Sequence, residues 1–373
     1  MSDDDDTKDT PKLPAIQGRI LDASVEIEQE DPLEIVYQHS LFCQVALPRR
    51  RPEGRTFERS YRNGSVKLQA GELWNGHQWL EQPLPAGPKP RLALMHINSQ
   101  AVKTHSPYID IGHSCAEFLR RLGLNAHSGN TYTLFKREMQ ALAACRMTMG
   151  YMEGERVITL NTQPVEEFSA WLAVNENERA LWPAHLELSR RYLDSLLEHA
   201  VPLDARACGA LAHSALALDT YSFLARRLHS LQKPVKVTWH QLHAQFGQEY
   251  QDWRSFKKEF LPAVRASLTV YLDAKVEQVT GGLLLKPSMP PVHARSVAVS
   301  HGLAAQVRTS LPTPPAIKSL KPTTVERFRT LYPRCDPYAC KDAFDAWLEA
   351  KEAPRSYDAA FLGFAKKWIK GQF

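Results

Sequence analysis

Residues 235–286 read VKVTWHQLHAQFGQEYQDWRSFKKEFLPAVRASLTVYLDAKVEQVTGGLLLK, and this stretch decides the fold. A short β-prone run ends at Thr238, which caps a helix and forms a capping box with a glutamine three residues later. A second helix is predicted at about 252–271, and two β-prone runs then flank Gly281 and Gly282. The order strand, helix, helix, hairpin is typical of a winged helix-turn-helix domain.

The helix at about 252–271 carries an apolar arc and a separate basic stripe. The arc consists of Trp253, Phe256, Phe260, Val264, Leu268 and Tyr271. Arg254, Lys258 and Arg265 fall within about 40° of one another on a helical projection. Such a helix can dock through its arc and reach phosphates and guanine edges with its cations. A solvated surface helix would show the same stripe, but the capped helix before it and the hairpin after it favour DNA.

Two further features of this helix affect its contacts. Lys257 lies near the apolar arc and is expected to extend from its edge toward a phosphate. Pro262 is expected to kink or restart the helix. The residues predicted to contact DNA in this part of the chain are Arg254, Lys257, Lys258, Arg265, Lys275 and Lys286.

A similar order of elements occurs earlier in the chain. A helix at about 91–104, a short strand at 108–111 and a capped helix at 115–122 precede a third helix at about 131–145. A hairpin over 146–160 follows, so we predict a first winged helix here. Its basic stripe is shorter than the second one. The residues that could contact DNA in this part are Tyr132, Lys136, Arg137 and Arg146.

These patterns predict an α+β protein: tandem winged helix-turn-helix domains, a β-rich N-terminal segment and a small helical C-terminal tail. The predicted parts are a disordered acidic tail (1–31), a first winged-helix domain with a preceding β-rich segment (32–167), a connector (168–204), a second winged-helix domain that is the main DNA reader (205–291), a proline-rich linker (292–322) and a helical basic and aromatic tail (323–373). One long helix is predicted at about 205–231.

Charge is distributed unevenly along the 373 residues. The formal net charge is +5, yet the first 40 residues hold eleven acidic and three basic residues. The rest of the chain is therefore more basic than the total suggests, which favours a polyanionic partner. Ordinary solubility charge would explain the same balance.

The sequence lacks the usual motifs of enzymes and metal sites. It contains no phosphate-binding glycine loop of the P-loop type and no His-hydrophobe-His motif of rolling-circle nickases. The six cysteines show no Cys-x-x-Cys spacing, and His240 and His243 have no nearby carboxylate or thiol at ligand spacing. We therefore expect no catalytic residues, no metal and no cofactor. A nuclease or a primase-like enzyme is a further hypothesis. It would need clustered carboxylates to bind metal ions, and the main acidic cluster lies in the acidic start of the chain.

Neither a membrane nor a secretory signal is expected. No apolar run approaches the about 20 residues of a membrane helix, and the acidic start lacks the apolar core of a signal peptide. We expect a protein of the bacterial cytoplasm.

Several segments resemble plasmid-encoded RepA replication initiators. They are EFLRRLGL (117–124), VPLDARACGALAHSALALDTYSFLARRL (201–228), WHQLHAQFG (239–247), FKKEFLPAVR (256–265), GGLLLKPSMPP (281–291) and YDAAFLGFAKKW (357–368). The resemblance implies tandem winged helices that bind directly repeated origin sequences, or iterons, in double-stranded DNA. It also implies contacts with the host initiator and the replicative helicase, a monomer–homodimer equilibrium, and autorepression by the dimer.

We therefore predict a plasmid replication initiator that recruits host replication machinery and represses its own gene. The alternative is a winged-helix transcriptional repressor without initiator activity. The proline-rich linker and the aromatic, basic tail favour the initiator, since a repressor has no evident need of them.

Overall fold

Helices and strands alternate along the part of the chain that a computed structural model describes. That part comprises residues 14–74, 77–111, 117–119, 129–153, 155–162, 165–167, 185–293, 322–332, 337–348 and 357–369. It divides between two compact units, Met1–Ala305 and Gln306–Phe373. The α+β class is confirmed. Most of the predicted helix at 115–122 and of the proline-rich linker lies outside the described residues.

The acidic start of the chain contains a helix, α1 (Ala15–Gln29), where the composition predicts a disordered tail. Ile20 and Ala23 are buried on one side of α1, at helical spacing. At its C-terminal end, the guanidinium of Arg206 donates hydrogen bonds to the carbonyl oxygens of Glu26 and Glu30. The prediction of disorder is therefore wrong for residues 15–29, because apolar burial and a distant arginine stabilise the helix.

The β-rich segment and the first predicted hairpin together form one antiparallel sheet. Its strands are β2 (Thr56–Tyr61), β3 (Gly64–Gln69), β7 (Arg146–Glu153) and β8 (Arg156–Thr162), in the order β2-β3-β7-β8. Val66 lies opposite Met149, and both are fully buried. A separate two-stranded ribbon consists of β4 (Glu72–Trp74) and β5 (Trp79–Glu81). The first module, as we call residues 32–167, therefore has a larger sheet than its hairpin predicts.

Two helices pack within the first module, and both were predicted. They are α2 (Pro88–Thr104) and α3 (Gly129–Ala144), which contact each other. Strand β1 (Ile35–His39) packs on α2, and β6 (Tyr108–Asp110) follows that helix.

Residues 185–204 complete two sheets of the first module, although we predicted a connector over 168–204. Strand β10 (His185–Leu188) lies between β6 and β9 (Val165–Glu167). After helix α4 (Arg190–His199), strand β11 (Ala200–Asp204) pairs with β1. These pairings bury Leu186, Leu188 and Leu203, so the described part of this segment belongs to the core.

The long helix predicted at 205–231 is instead two helices. Helix α5 (Ala205–Ala210) begins at Asp204, whose side chain accepts a hydrogen bond from the backbone N–H of Arg206. Helix α6 (Ala215–Leu228) begins at Ser214, whose hydroxyl accepts from the backbone N–H of Ala217. A second N-cap starts a new helix, so the chain turns between the two.

The second module, residues 205–291, continues with the elements that the sequence predicts. They are β12 (Val235–Thr238), α7 (Trp239–Phe246), α8 (Trp253–Thr269), β13 (Val276–Val279) and β14 (Gly282–Leu285). The three strands form an antiparallel sheet in the order β12-β14-β13. Helix α8 continues through Pro262 and packs on α6 and α7.

Buried ion pairs link the two modules. Arg59 on β2 donates to Glu249, which follows α7, at 3.0 Å, and only 2% of the Arg59 side chain is exposed. Arg91 on α2 forms a two-bond contact with Asp219 on α6. A single apolar core runs from α1 to Val292, so the two modules do not fold around separate cores.

The described residues of the second unit form three helices, in the region that was predicted as a helical tail. They are α9 (Pro322–Leu331), α10 (Pro337–Leu348) and α11 (Tyr357–Trp368). Phe328, Phe344 and Phe361, one from each helix, are fully buried together. Aromatic packing thus gives this small unit its own core.

Candidate nucleic-acid interface

The start of α8 is fixed by hydrogen bonds to its own N-cap. The carboxylate of Asp252 accepts from the backbone N–H of Arg254 at 2.7 Å and from that of Ser255 at 2.9 Å. These bonds hold the pKa of Asp252 below its usual range, so the cap stays ionised at neutral pH. Helix α7 begins with the predicted capping box, in which Thr238 and Gln241 each accept a backbone hydrogen bond from the other. Both helices therefore begin where the local sequence dictates.

One face of α8 is anchored by aromatic packing. The rings of Phe256 and Phe260 stack with centroids 4.8 Å apart, and both side chains are fully buried. His243 on α7 and Tyr250 meet the Phe256 ring edge-on. The apolar arc of the sequence prediction is thus confirmed for its central residues, and it fixes the rotation of α8 about its axis.

The basic stripe of α8 lies on its solvent face. Arg254, Lys258 and Arg265 are all exposed, one helical turn or more apart. Among the described residues, none of the three forms an ion pair with a carboxylate within 4.0 Å. Their charges are therefore available to an anionic partner.

Lys257 lies apart from that stripe. It is half-buried, and its ammonium nitrogen lies 4.9 Å from the ring centroid of Trp239 at the start of α7. This cation–π contact holds the side chain at the edge of the apolar arc. To reach a phosphate, the ammonium group of Lys257 would have to move away from the indole ring of Trp239.

The hairpin β13–β14 supplies fewer available cations than we predicted. Lys275 is exposed, but the ammonium of Lys286 forms an ion pair with Glu277 on the neighbouring strand. Lys236, which was not among the predicted contacts, is exposed on β12, and its Nζ lies close to the turn at Gly281. Gly281 has a φ of 83°, which favours glycine. In the sequence Lys236 stands in the short β-prone run before Thr238, and only the pairing of β12 with β14 places it beside the hairpin.

In the first module, the residues that were predicted to contact DNA lie on helix α3 and at the start of strand β7. On α3, Tyr132 and Arg137 are exposed and Lys136 is half-buried, while Phe135 and Met139 pack inward. Arg146 is exposed at the start of β7. These residues form a second group, separate in the chain from the α8 stripe.

A buried histidine titrates far from its usual range. Burial, followed by the nearby His199 and Arg226, lowers the pKa of His39 to about 3. Its Nδ1 accepts from the backbone N–H of Leu41, so Nε2 carries the proton and donates to the hydroxyl of Ser195. His39 is therefore a neutral structural residue at neutral pH.

We expect His39 to make stability pH-dependent. Below pH 6.5 the unfolded chain binds a proton that the folded chain excludes until about pH 3, so the free energy of unfolding falls as the pH falls. At pH 5 the loss from this residue is about 2 kcal/mol. Urea denaturation at pH 7 and pH 5 should show this loss for the wild type and not for His39→Asn. Equal losses in the two proteins would contradict the assignment.

Metal-ligating side chains are not clustered in the part of the chain that the structure describes. It contains no group of three or more His, Cys, Asp and Glu side chains that could hold a metal ion. His240 and His243 instead lie against Trp253 and Phe256. Within that part of the chain, no helix is long and apolar enough to cross a membrane.

Comparison with known proteins supports one family. The family model "Plasmid encoded RepA protein" matches residues 84–241, from the loop before α2 into α7, and ends before α8. No curated protein matches the chain. A crystal structure of domains 2 and 3 of RctB, as the selenomethionine derivative, is similar with a TM-score of 0.43 and 12% identity, over 66% of this chain and 98% of that one. A second RctB structure of domains 2–3 gives a TM-score of 0.41 and 11% identity, over 71% and 99%. The resemblance to plasmid-encoded RepA proteins is confirmed by the family match over residues 84–241.

Proposed function

We propose that this chain is a plasmid replication initiator whose second module is a winged helix that reads double-stranded DNA. The order α6, β12, α7, α8, β13, β14 and the sheet order β12-β14-β13 support this reading. In a winged helix, the helix that follows the short capped helix enters the major groove. Here that helix is α8, and the hairpin β13–β14 is the wing.

The observation that carries the proposal is the division of α8 into two faces. Phe256 and Phe260 bury one face, whereas Arg254, Lys258 and Arg265 stand on the other without carboxylate partners among the described residues. An arginine can contact the two acceptors of a guanine edge, and a lysine can neutralise a phosphate. The stripe can therefore supply both sequence reading and affinity.

We assign the first module two tasks, phosphate contact and dimerisation. Tyr132, Lys136, Arg137 and Arg146 are the candidates for phosphate contact. For dimerisation, β2 and β8 are the two edge strands of the four-stranded sheet. Val157 on β8 is 74% exposed. Unpaired edge strands readily pair between subunits, so we place the homodimer contact here.

The remaining functions rest on the resemblance to plasmid-encoded RepA proteins, which the family match over residues 84–241 supports. Iteron binding as a monomer, autorepression as a dimer, and contacts with the host initiator and the replicative helicase are the properties that the RepA resemblance implies. In this account the chain works in the bacterial cytoplasm. It acts by binding alone, with no catalytic residue, metal or cofactor.

Footprinting on the noncoding DNA of the source plasmid tests the proposal. Evenly spaced, directly repeated protections are expected, because tandem copies spaced by about two helical turns put each site on one face of the duplex. A single palindromic protection would instead support the repressor. Protection without any sequence preference would contradict both.

The same DNA tests the absence of catalysis. Supercoiled origin DNA, incubated with the protein, Mg²⁺ and ATP, should remain unnicked, and no phosphate should be released. Nicking that is lost on changing one tyrosine or one acid would overturn this part of the proposal.

A further inference from the structure

A basic pocket lies where α6 meets the first module, away from the α8 stripe. It has a volume of about 350 Å³. Its basic side chains are Arg226 and Arg227 from the last turn of α6, Arg62 from the β2–β3 turn and His199 from the end of α4. The Nε2 atom of His199 lies 4.0 Å from the carboxylate of Glu198. Both modules therefore contribute to its wall.

The three arginines of this pocket have no carboxylate to balance them. Among the residues that the structure describes, no Asp or Glu lies within 4.0 Å of the guanidinium of Arg62, Arg226 or Arg227. This contrasts with Arg49, Arg51, Arg55, Arg59, Arg91 and Arg206, each of which forms an ion pair. Burial and the charge of Arg62 lower the pKa of Arg227, and burial and the charge of Arg227 lower that of Arg226. Like charges held together in this way are stabilised when an anion enters.

The backbone around the pocket is fixed. Arg62 has a φ of 52°, a left-handed conformation that an arginine rarely adopts, in a two-residue turn between paired strands. The backbone N–H of Met152 donates to the carbonyl oxygen of Asn63, which ties this turn to β7. The ring of His199 packs edge-on against Tyr151 and His39. The basic side chains thus come from the ends of two helices and from a turn whose backbone is hydrogen-bonded to β7.

We propose that this pocket binds a phosphate group and that the bound phosphate bridges the two modules. Guanidinium groups bind phosphate oxygens through paired hydrogen bonds. Three guanidinium groups around one cavity suit a doubly charged phosphate better than a singly charged carboxylate ligand. The group can belong to the DNA backbone or to a small phosphorylated ligand. Binding of a DNA phosphate rests on the proposed function, whereas binding of a small phosphorylated ligand does not.

The double variant Arg226→Gln/Arg227→Gln tests the pocket. Its matched control is Arg19→Gln/Arg190→Gln, which removes two exposed arginines from α1 and α4. In the first arm, inorganic phosphate, pyrophosphate and ATP without Mg²⁺ are titrated at constant ionic strength while Tm is followed. We expect phosphate compounds to raise the Tm of the wild type and the control. Their affinity for the pocket variant should fall about tenfold or more, as expected for the loss of a charge-assisted hydrogen bond.

In the second arm, the affinity for a noncognate duplex is measured against salt concentration. If the pocket binds a phosphate of the DNA backbone, Arg226→Gln/Arg227→Gln loses one such contact. The slope of the logarithm of the binding constant against the logarithm of the salt concentration should then decrease in magnitude by about 1 relative to the control. An effect in the first arm alone assigns the pocket to a small phosphorylated ligand, and an effect in the second arm alone assigns it to DNA. No difference from the control in either arm overturns the proposal.

Two further variants keep this test decisive. Arg226→Lys/Arg227→Lys retains both charges but not the paired hydrogen bonds of a guanidinium, so it should recover only part of the binding. If the glutamine variant does not fold, Arg62→Gln on the exposed turn replaces it and should show the same change in smaller degree. The origin footprint is read separately, so a failed pocket does not imply a failed initiator.

Discussion

Replacement of Asp219 by alanine should lower the free energy of unfolding by about 3–5 kcal/mol, the range for breaking a buried ion pair. Asp219 accepts from Nε of Arg91 at 2.7 Å and from its Nη2 at 2.8 Å. The Arg91 side chain is 2% exposed and that of Asp219 is 11% exposed. Loss of the carboxylate leaves a guanidinium buried between α2 and α6 with only carbonyl oxygens as partners.

Denaturant unfolding of Asp219→Ala, with Asp194→Ala as the control, measures this loss. Asp194 is an exposed acid on α4, so its removal should change stability by no more than about 0.5 kcal/mol. The double variant Arg91→Leu/Asp219→Leu should cost less than Asp219→Ala, because no unpaired charge remains buried. Equal stability of Asp219→Ala and the control would show that this pair does not hold the modules together.

Phe256→Ala should also cost about 3–5 kcal/mol and should weaken DNA binding in addition. Its ring is fully buried and contacts Phe260, His243 and Tyr250 at once. Because this contact sets the rotation of α8, a cavity here loosens the helix that presents Arg254 and Lys258.

The conservative change Phe256→Leu provides the control, with an expected loss of about 1 kcal/mol. Unfolding curves and DNA affinity are measured on the same preparations. A Phe256→Ala protein within 1 kcal/mol of the wild type would mean that the aromatic cluster does not anchor α8.

The second module could be predicted from sequence because its signals are local. The capping box at Thr238 and the apolar arc of α8 each depend on residues within a few turns of one another. In contrast, the pairing of β3 with β7 joins residues about 80 positions apart, and no local pattern specifies such a partner. The β-rich segment and the hairpin over 146–160 were predicted, but their pairing into one sheet was not.

The other differences between prediction and structure arose where one sequence feature outweighed a second feature, or where a contact depends on residues that are distant in sequence. For α1, the acidic composition favoured disorder although Ile20 and Ala23 have the spacing of a helix face. The stabilising Arg206 is remote in sequence. In the 205–231 region, Ser214 was a visible N-cap inside a continuous apolar pattern. For Lys286, the strand register that brings Glu277 within reach appears only in the structure. Exposure of Arg254, Lys258 and Arg265 was predicted correctly, since it follows from the helical period alone.

The most direct test of the central claim is the affinity of three single variants for cognate and noncognate duplexes at fixed salt. Arg254→Ala, Lys258→Ala and Arg265→Ala should each weaken cognate binding, with Arg19→Ala as the control. A variant that loses a guanine contact should lose about 1–3 kcal/mol of discrimination, whereas one that loses a phosphate contact should weaken both duplexes alike. If all three variants bind the cognate duplex as the wild type does, α8 is not the helix that reads DNA.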